Sequence, residues 1–368
     1  MHAHSSSSLP YPQCRFSPGR RQQLGMTLME WMVSITIGMI LLVGLSALIA
    51  RQSSTQAELE KSSRQIENGR YATQLLQEDI QLAGYLGEFS KLDDLPVPGA
   101  LPNPCLVGAA DLSSALPFSI QGYDAPGATL PAAFADCPLN AANHLDGTDI
   151  LVVRRADPEV TATGALVVGQ FYLQSGLTPT LEFSYVLAKA ATPAVDTAVF
   201  NLKLKDGVTA APLRKYRVNI YFISPCNLPA SGSTCSVAQT DDGGISIPTL
   251  KRLELSAQAG NPKFVTTSLV EGIETMQIDY GFDAAAATGD GSPDSYATDA
   301  AAVADWANVM AVRLHLLARN NERSVGYQDT KTYNLGLAGA TAAPNDGFKR
   351  RVFSQLIRVV NPSSRRDQ

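Results

Sequence analysis

Three groups of residues in this sequence have types and spacings that could do chemistry. The first is Glu30, the single charge in residues 26–50, MTLMEWMVSITIGMILLVGLSALIA. A lone carboxylate within a lipid-spanning stretch costs about 2.5–3.5 kcal/mol on insertion scales unless it is partnered, so a chain that needed only an anchor has no use for it. The second group is cysteine. Four of the five cysteines, Cys105, Cys137, Cys226 and Cys235, lie beyond the apolar run, and Cys14 precedes it. An even count on the exported side favours two disulfides, for which three connectivities exist. Cys105–Cys137 and Cys226–Cys235 are the favoured pairs, because each closes a local loop in Pro/Gly-rich sequence; loop closure makes each worth about 2–3 kcal/mol, more for the longer loop. A metal cluster is the rival reading, but there is no CxxC, and only His144 and His315 occur after residue 25. The third group is DAAAATGDGSPDSYATD, where Asp283, Asp290, Asp294 and Asp299 surround a Gly-rich turn. Hard oxygen ligands on such a loop suit Ca²⁺, although the EF-hand spacing and its terminal Glu are missing; a plain hairpin loop is the alternative.

No HExxH, GxSxG, Walker A or GxGxxG pattern occurs, so the common catalytic motifs give no ground for an enzyme, and no cofactor other than Ca²⁺ comes into view. His315 alternates with apolar residues and reads as a structural strand histidine. The 368 residues are 45% hydrophobic and 17% charged, with a formal net charge of −5. That apolar fraction excludes a disordered chain, and the length allows a large core or two to three average domains. No lysine- or arginine-rich block of five or more residues occurs, which argues against direct nucleic-acid binding. One long apolar run excludes a polytopic transporter.

The elements that must position these groups start with that run. As a helix, 25 residues span roughly 37 Å at 1.5 Å per residue, enough to cross a bilayer with some tilt. Arg15, Arg20 and Arg21 precede it, with no acid before Met26. The positive-inside rule then keeps the N-terminus cytoplasmic and exports everything after residue 50. A cleaved secretory signal would have an apolar core of about 7–15 residues and a small-residue cleavage site, and this run is longer. From Arg51 to about Gly87 there is no proline and helix formers dominate. Leu59, Ser63, Ile66, Thr73, Leu76, Ile80 and Ala83 form a stripe at helical spacing. The stripe is richer after Leu75, which predicts that the later half packs on a globular head and the earlier half faces solvent or other subunits, with the helix ending near Tyr85–Gly87.

Residues 89–147 read as long loops with a few short strands. Strand-like runs follow at 148–155, 166–173, 181–187, 216–223, 249–256, 276–282, 310–318 and 352–360. Tyr216, Val218, Ile220 and Phe222 alternate onto one face, and so do Met310, Val312, Leu314 and Leu316. LVEGIETM (269–276) and ADWANVMA (304–311) are the candidate helices between strands. The fold class expected is α+β: a long N-terminal transmembrane and amphipathic helix packed on an antiparallel β-sheet head, with room for a second β subdomain.

Gly25 followed by MTLMEWMV resembles the type IV prepilin signature: a basic leader ending in Gly, an apolar first residue, Thr-Leu next and Glu at the fifth mature position. Met replaces the usual Phe at the first of these, and Trp31 stands where Leu is common; both remain apolar. ENGRYATQLLQEDIQLAGYLG (67–87), with looser cues at IPTLKRLEL, VEGIETMQIDYG and RRVFSQLIRVVNP, resembles PilW-type minor pilins. The resemblance implies a leader over 1–25, a transmembrane helix over 26–50, its amphipathic extension over 51–88 and a periplasmic or extracellular β-rich head over 89–368. It implies cleavage by a prepilin peptidase between Gly25 and Met26, N-methylation of Met26, and Glu30 setting the axial register against the new α-amine of the same or a neighbouring subunit. Loss of three arginines and no acid takes the formal charge from −5 to −8. Small residues at Gly38, Gly44, Ser46 and Ala47 would permit close helix approach.

The resemblance further implies a subunit held in the inner membrane that joins the pilus near its tip, where it primes or caps assembly. Its partners would be other minor pilins, the major pilin and, potentially, a tip adhesin; twitching motility, adhesion and DNA uptake are the roles linked to such proteins. Two rivals stand beside this reading: a minor pseudopilin of a type II secretion system, which shares the anchor, and a membrane-anchored adhesin or enzyme that never polymerises.

Overall fold

The computed structural model describes residues 25–89, 95–236, 240–283, 289–298 and 306–366. One helix, α1 (Leu28–Leu82), carries the apolar run and its amphipathic extension without a break. The chain divides into two compact units between Ala57 and Glu58, so the first unit holds the apolar part of α1 and the second holds the rest of α1 with the β-rich head. The helix stops at Leu82, short of the expected 87. Just past its end the chain bonds to the head instead of continuing the ladder: Ala83 O accepts from Asn361 Nδ2 at 3.0 Å, and Gly84 N, with Gly84 in the left-handed region at φ 70°, donates to Arg154 O at 2.9 Å.

The head contains eleven strands among the described residues: β1 (Ile120–Tyr123), β2 (Ile150–Thr161), β3 (Phe171–Leu177), β4 (Phe183–Lys189), β5 (Leu213–Ser224), β6 (Thr249–Gln258), β7 (Asn261–Glu271), β8 (Ile273–Phe282), β9 (Ser295–Ala297), β10 (Val309–Arg319) and β11 (Arg350–Arg358). Two short helices, α2 (Ala109–Ser114) and α3 (Val360–Arg366), complete it. All pairings are antiparallel. The larger sheet runs β1-β2-β5-β3-β4, with β6 and β7 branching from β5; the smaller runs β11-β10-β8-β9. The branch arises because β5 is long enough to pair β3 through residues 213–215 and β6 through residues 219–224 along the same edge.

The larger sheet is covered on both faces. Leu151, Val153, Tyr221 and Ile223 face a core shared with Ala72, Leu76 and Ile80 of α1, with Ala83 just past its end, and with Ile278, Tyr280, Val312, Leu314 and Leu316 of the smaller sheet. Ile150, Val152, Tyr216, Val218, Ile220 and Phe222 face a second core closed by Leu86, Phe89, Leu112, Leu116 and Phe134. The two alternations read from sequence therefore lie in two different cores. They explain why β2 opens with four consecutive fully buried apolar residues.

Both candidate helices between strands are absent. Leu269–Glu271 closes β7 and Ile273–Met276 opens β8, and Gly272 at φ 76° turns the chain from one sheet to the other. A Cβ there would sit 2.8 Å from Arg319 O and 2.7 Å from Asn321 Oδ1, so the position needs glycine. The helical spacing of Val270, Ile273 and Met276 comes from two strand faces joined by that turn. In the second segment Trp306–Asn308 forms a single 3₁₀ turn and β10 starts at Val309. Strands β1, β7 and β9 lacked a clear alternating signal; β7 is exposed at most positions, with Phe264 and Val270 as its buried contacts.

One buried carboxyl has a measurable consequence. Asp149, at the start of β2, is almost fully buried and accepts a hydrogen bond from Ile278 N at 2.8 Å. Burial, with the nearby Asp124 and Asp279 charges, pushes its pKa well above the usual carboxylate range. A folded-state pKa raised above the unfolded value means that stability is fully present below the unfolded pKa and is lost as pH rises towards the folded one. Asp149→Asn keeps the acceptor and removes the titration. Urea unfolding should show the gain of the variant over the parent to be small at pH 3, below the unfolded aspartate pKa, and large at pH 8; the same difference at both would refute this.

Candidate assembly interface

The N-terminal turn is built by Thr27. Glu30 N donates to Thr27 Oγ1 at 3.3 Å and to Thr27 O at 3.0 Å, so Thr27 caps α1 and Glu30 occupies its third position. Thr-Leu-Met-Glu is a capping-box spacing, a second role for Glu30 that is legible in the sequence beside that of a lone charge in an apolar run. The acid in the first turn also complements the helix dipole. Gly25 and Met26 are extended from the helix start, directly before the cap.

From Met26 to Ile49 the apolar side chains are exposed, with Leu28, Met29, Trp31, Ile40 and Leu41 each above 60%. Soluble helices do not leave an apolar surface of this length open. The hydroxyls within it are satisfied by the helix itself: Ser34 Oγ donates to Glu30 O at 2.7 Å and Thr36 Oγ1 to Val33 O at 2.8 Å. The Glu30 carboxylate makes no hydrogen bond or ion pair among the described residues. Gly38 and Gly44 have no neighbour within 4 Å of a Cβ position, so nothing among the described residues uses the close approach they permit.

From Glu58 onwards polar groups add to the apolar contacts of Ala72, Leu76 and Ile80 in holding α1 to the head. Asp79 is buried at 5% exposure; it accepts from Arg155 Nε at 2.6 Å, Asn219 Nδ2 at 2.9 Å and Tyr221 OH at 2.8 Å. Gln65 donates to Ala318 O at 2.7 Å and to Lys349 O at 2.8 Å. Glu58 accepts from Lys349 Nζ at 2.7 Å and Ser324 Oγ at 2.6 Å, and these bonds lower its pKa to about 2. Gly69 lies against Phe353 of β11, where a Cβ would sit 2.1 Å from the ring. The buried stripe is Gln65, Gly69, Ala72, Thr73, Leu76, Asp79 and Ile80. Thr73, Leu76, Ile80 and Ala83 of the expected stripe are buried; Leu59 and Ser63, in the half expected to face solvent or other subunits, are exposed, and Ile66 is half-buried. Two polar residues that periodicity assigned to the outside, Gln65 and Asp79, hold the helix down.

The cysteines pair as Cys105–Cys137 and Cys226–Cys235, with Cα separations of 5.1 and 5.8 Å. The first straps the loops over the outer core; the second closes the β5–β6 connection. Asp241 lies within 4.8 Å of both sulfurs of the second pair, the one such trio of potential metal ligands among the described residues, but bonded sulfurs cannot act as thiolates. In the Asp-rich loop, Asp283 accepts from Gly291 N at 3.1 Å, Asp290 from Ser292 N at 2.8 Å, and Asp294 N donates to Phe282 O at 3.0 Å. Asp299 lies outside the described residues, as do residues 1–24 with Cys14.

His315 is a member of a polar chain across three neighbouring strands, with Nδ1 at 2.8 Å from Ser354 Oγ on β11 and Nε2 at 3.3 Å from Asp279 Oδ2 on β8. The serine is on Nδ1 and the carboxylate on Nε2, the reverse of the order a serine hydrolase uses. Asp279 also accepts from Leu337 N at 3.3 Å, so the chain fastens the 334–340 loop onto the sheet face.

Two family models match. Residues 20–46 match the prokaryotic N-terminal methylation motif, which covers the Gly25–Met26 junction, the Thr27 cap and Glu30. Residues 236–361 match Type IV Pilus-assembly protein W, a segment that takes in β6 to β11 and so the whole smaller sheet. No curated protein and no solved structure matches the chain. The methylation motif implies processing by a prepilin peptidase, and the apolar helix it opens fits membrane anchoring. A prepilin-type methylation motif at one end and a segment matching Type IV Pilus-assembly protein W at the other make the chain similar to PilW-type minor pilins of type IV pili.

Proposed function

We propose that the protein is inserted in the inner membrane with its N-terminus cytoplasmic and its head in the periplasm. There it is cut between Gly25 and Met26, N-methylated on Met26, and taken into the pilus near the tip, where it primes or caps assembly with other minor pilins and the major pilin. The observation that carries this reading is the run of exposed apolar side chains from Met26 to Ile49, opened by a carboxylate without a partner among the described residues. Cleavage at Gly25 would create a cation, the Met26 α-amine, within one turn of that carboxylate. The reading invokes no catalytic group and no cofactor; the head supplies contacts that distinguish this subunit from the major one.

Mass spectrometry of the mature N-terminus tests the processing step, with N-methyl-Met at residue 26 as the expected result and an intact leader as the result that overturns it. Loss of surface pili on deletion, with type II secretion intact, separates a pilin from a pseudopilin.

A further inference from the structure

A cavity of about 220 Å³ lies between α1 and the end of β10. Gln65 and Asn68 of α1 form one wall, and Arg319, Asn320 and Asn321 form the other. Asn320 is the unusual member. It is 2% exposed, and both polar atoms of its carboxamide, Oδ1 and Nδ2, are without a hydrogen-bond partner among the described residues. Only its backbone is engaged, with N donating to Lys349 O at 3.0 Å. A buried amide that makes none of its bonds is costly, and such groups are rare unless something else completes them.

The neighbouring groups are partly used. Arg319 bonds Glu274 through Nη1 and Ser246 O through Nη2, but its Nε has no partner. Gln65 Nε2 donates to Ala318 O and Lys349 O, and Asn68 Nδ2 donates to Glu271 O; neither side-chain oxygen accepts a bond among the described residues. The charges around the cavity are largely matched. Lys61 Nζ bonds Glu58, Glu322 and Arg323 O. Glu271 accepts from the amides of Asn227 and Asn321. No single sign prevails, so a neutral occupant suits the cavity better than an ion.

The unmet donors are Asn320 Nδ2 and Arg319 Nε, and the unmet acceptors are the side-chain oxygens of Asn320, Gln65 and Asn68. A carboxylate brings no donor for the oxygens, and an ammonium brings no acceptor for the nitrogens. A carboxamide brings both, an oxygen with two lone pairs and a nitrogen with two hydrogens. We propose that the cavity receives one carboxamide side chain, glutamine or asparagine, of a partner polypeptide. The volume is below that of clefts that enclose a whole drug-sized ligand, and it suits a single inserted side chain. A wider depression of about 650 Å³ adjoins the cavity, sharing Asn68 with it and lined by Ile66 and the exposed Tyr71. A polypeptide lying there reaches the cavity across Asn68, which favours a protein-borne carboxamide over free glutamine. The site is independent of how the subunit enters a pilus.

The test is titration of the detergent-solubilised full chain with acetyl-Gly-Gln-Gly N-methylamide, followed by saturation-transfer NMR. Peptides with Glu or Leu in place of Gln are the controls; they share the backbone and carry no primary carboxamide. The Gln peptide should bind saturably in the millimolar range, at least about tenfold more tightly than either control. Asn320→Leu should remove that preference and should unfold in urea no more easily than the parent, because it replaces an amide that makes no bond in the chain. Asn320→Asp keeps an acceptor, loses the donor, and should weaken binding of the Gln peptide at least about tenfold. Easier unfolding of Asn320→Leu would show that the amide is structural, and would overturn the proposal. Equal binding of a control peptide, no saturable binding, or unchanged binding in Asn320→Asp also overturns it. Free glutamine that binds as tightly as the peptide overturns the polypeptide source, and weaker binding of free glutamine supports it.

Discussion

Asp79→Ala should cost about 3–5 kcal/mol of unfolding free energy, the penalty for removing one partner of a buried charge pair. The carboxylate is the shared acceptor of Arg155, Asn219 and Tyr221, which sit on β2 and β5, the two central strands of the larger sheet. Its loss leaves the donors of Arg155, Asn219 and Tyr221 facing a methyl group. Arg155 keeps a 3.4 Å bond from Nη1 to Ala156 O and a 3.8 Å contact with Asp157, and the Asn219 carbonyl oxygen already lacks a partner. Asp79→Asn retains acceptor capacity without the charge and should cost about 1.5–3 kcal/mol, the range for hydrogen bonds to charged groups. Arg155→Met in the Asp79→Ala background should recover part of the loss, because no unpaired buried charge remains. Urea unfolding of the full chain in detergent, followed by near-UV circular dichroism, measures all three. A loss below about 1 kcal/mol for the alanine variant would show that the helix is held by its apolar stripe and that the clamp adds little.

Glu30→Ala should leave synthesis, membrane retention and leader removal near normal, and should lower the share of the protein in sheared pili at least about tenfold. Breaking a desolvated pair costs about 3–5 kcal/mol, or two to three orders of magnitude in an association equilibrium, and the tenfold figure allows for partial compensation by the apolar helix contacts. Alanine also removes the first-turn acid that complements the helix dipole, an effect of about 0.3–1 kcal/mol. Glu30→Gln separates the two roles. Glutamine serves the third position of a capping box as well as glutamate does, but carries no charge for the Met26 amine. If Gln behaves like Ala, the charge pair governs incorporation. If Gln restores normal levels in pili, Glu30 acts as a helix-start residue and the pairing idea fails.

Much of this architecture is written in short sequence windows. Each of the eight strand-like runs overlaps a strand, because alternation with period two needs only the neighbouring residues to be read. The apolar run of residues 26–50, the basic residues before it and the Thr27–Glu30 spacing are equally local. So are the disulfides, in which each cysteine bonds the nearest cysteine along the chain after residue 50.

What only the tertiary structure decided are the polar residues that lie inside. Gln65 and Asp79 look like solvent-facing positions of α1, yet they meet groups 253 and 140 residues away in sequence. Lys251 sits in a row of leucines, and His315 joins Asp279 and Ser354 only where β8, β10 and β11 lie side by side. The same holds for Gly272, whose turn converts an apparent helix into the crossing between two sheets. Burying an apolar side chain is favourable wherever water is excluded, so its position follows from local spacing. Burying a polar one is favourable only when a specific partner arrives with the right geometry, and the fold alone supplies that partner.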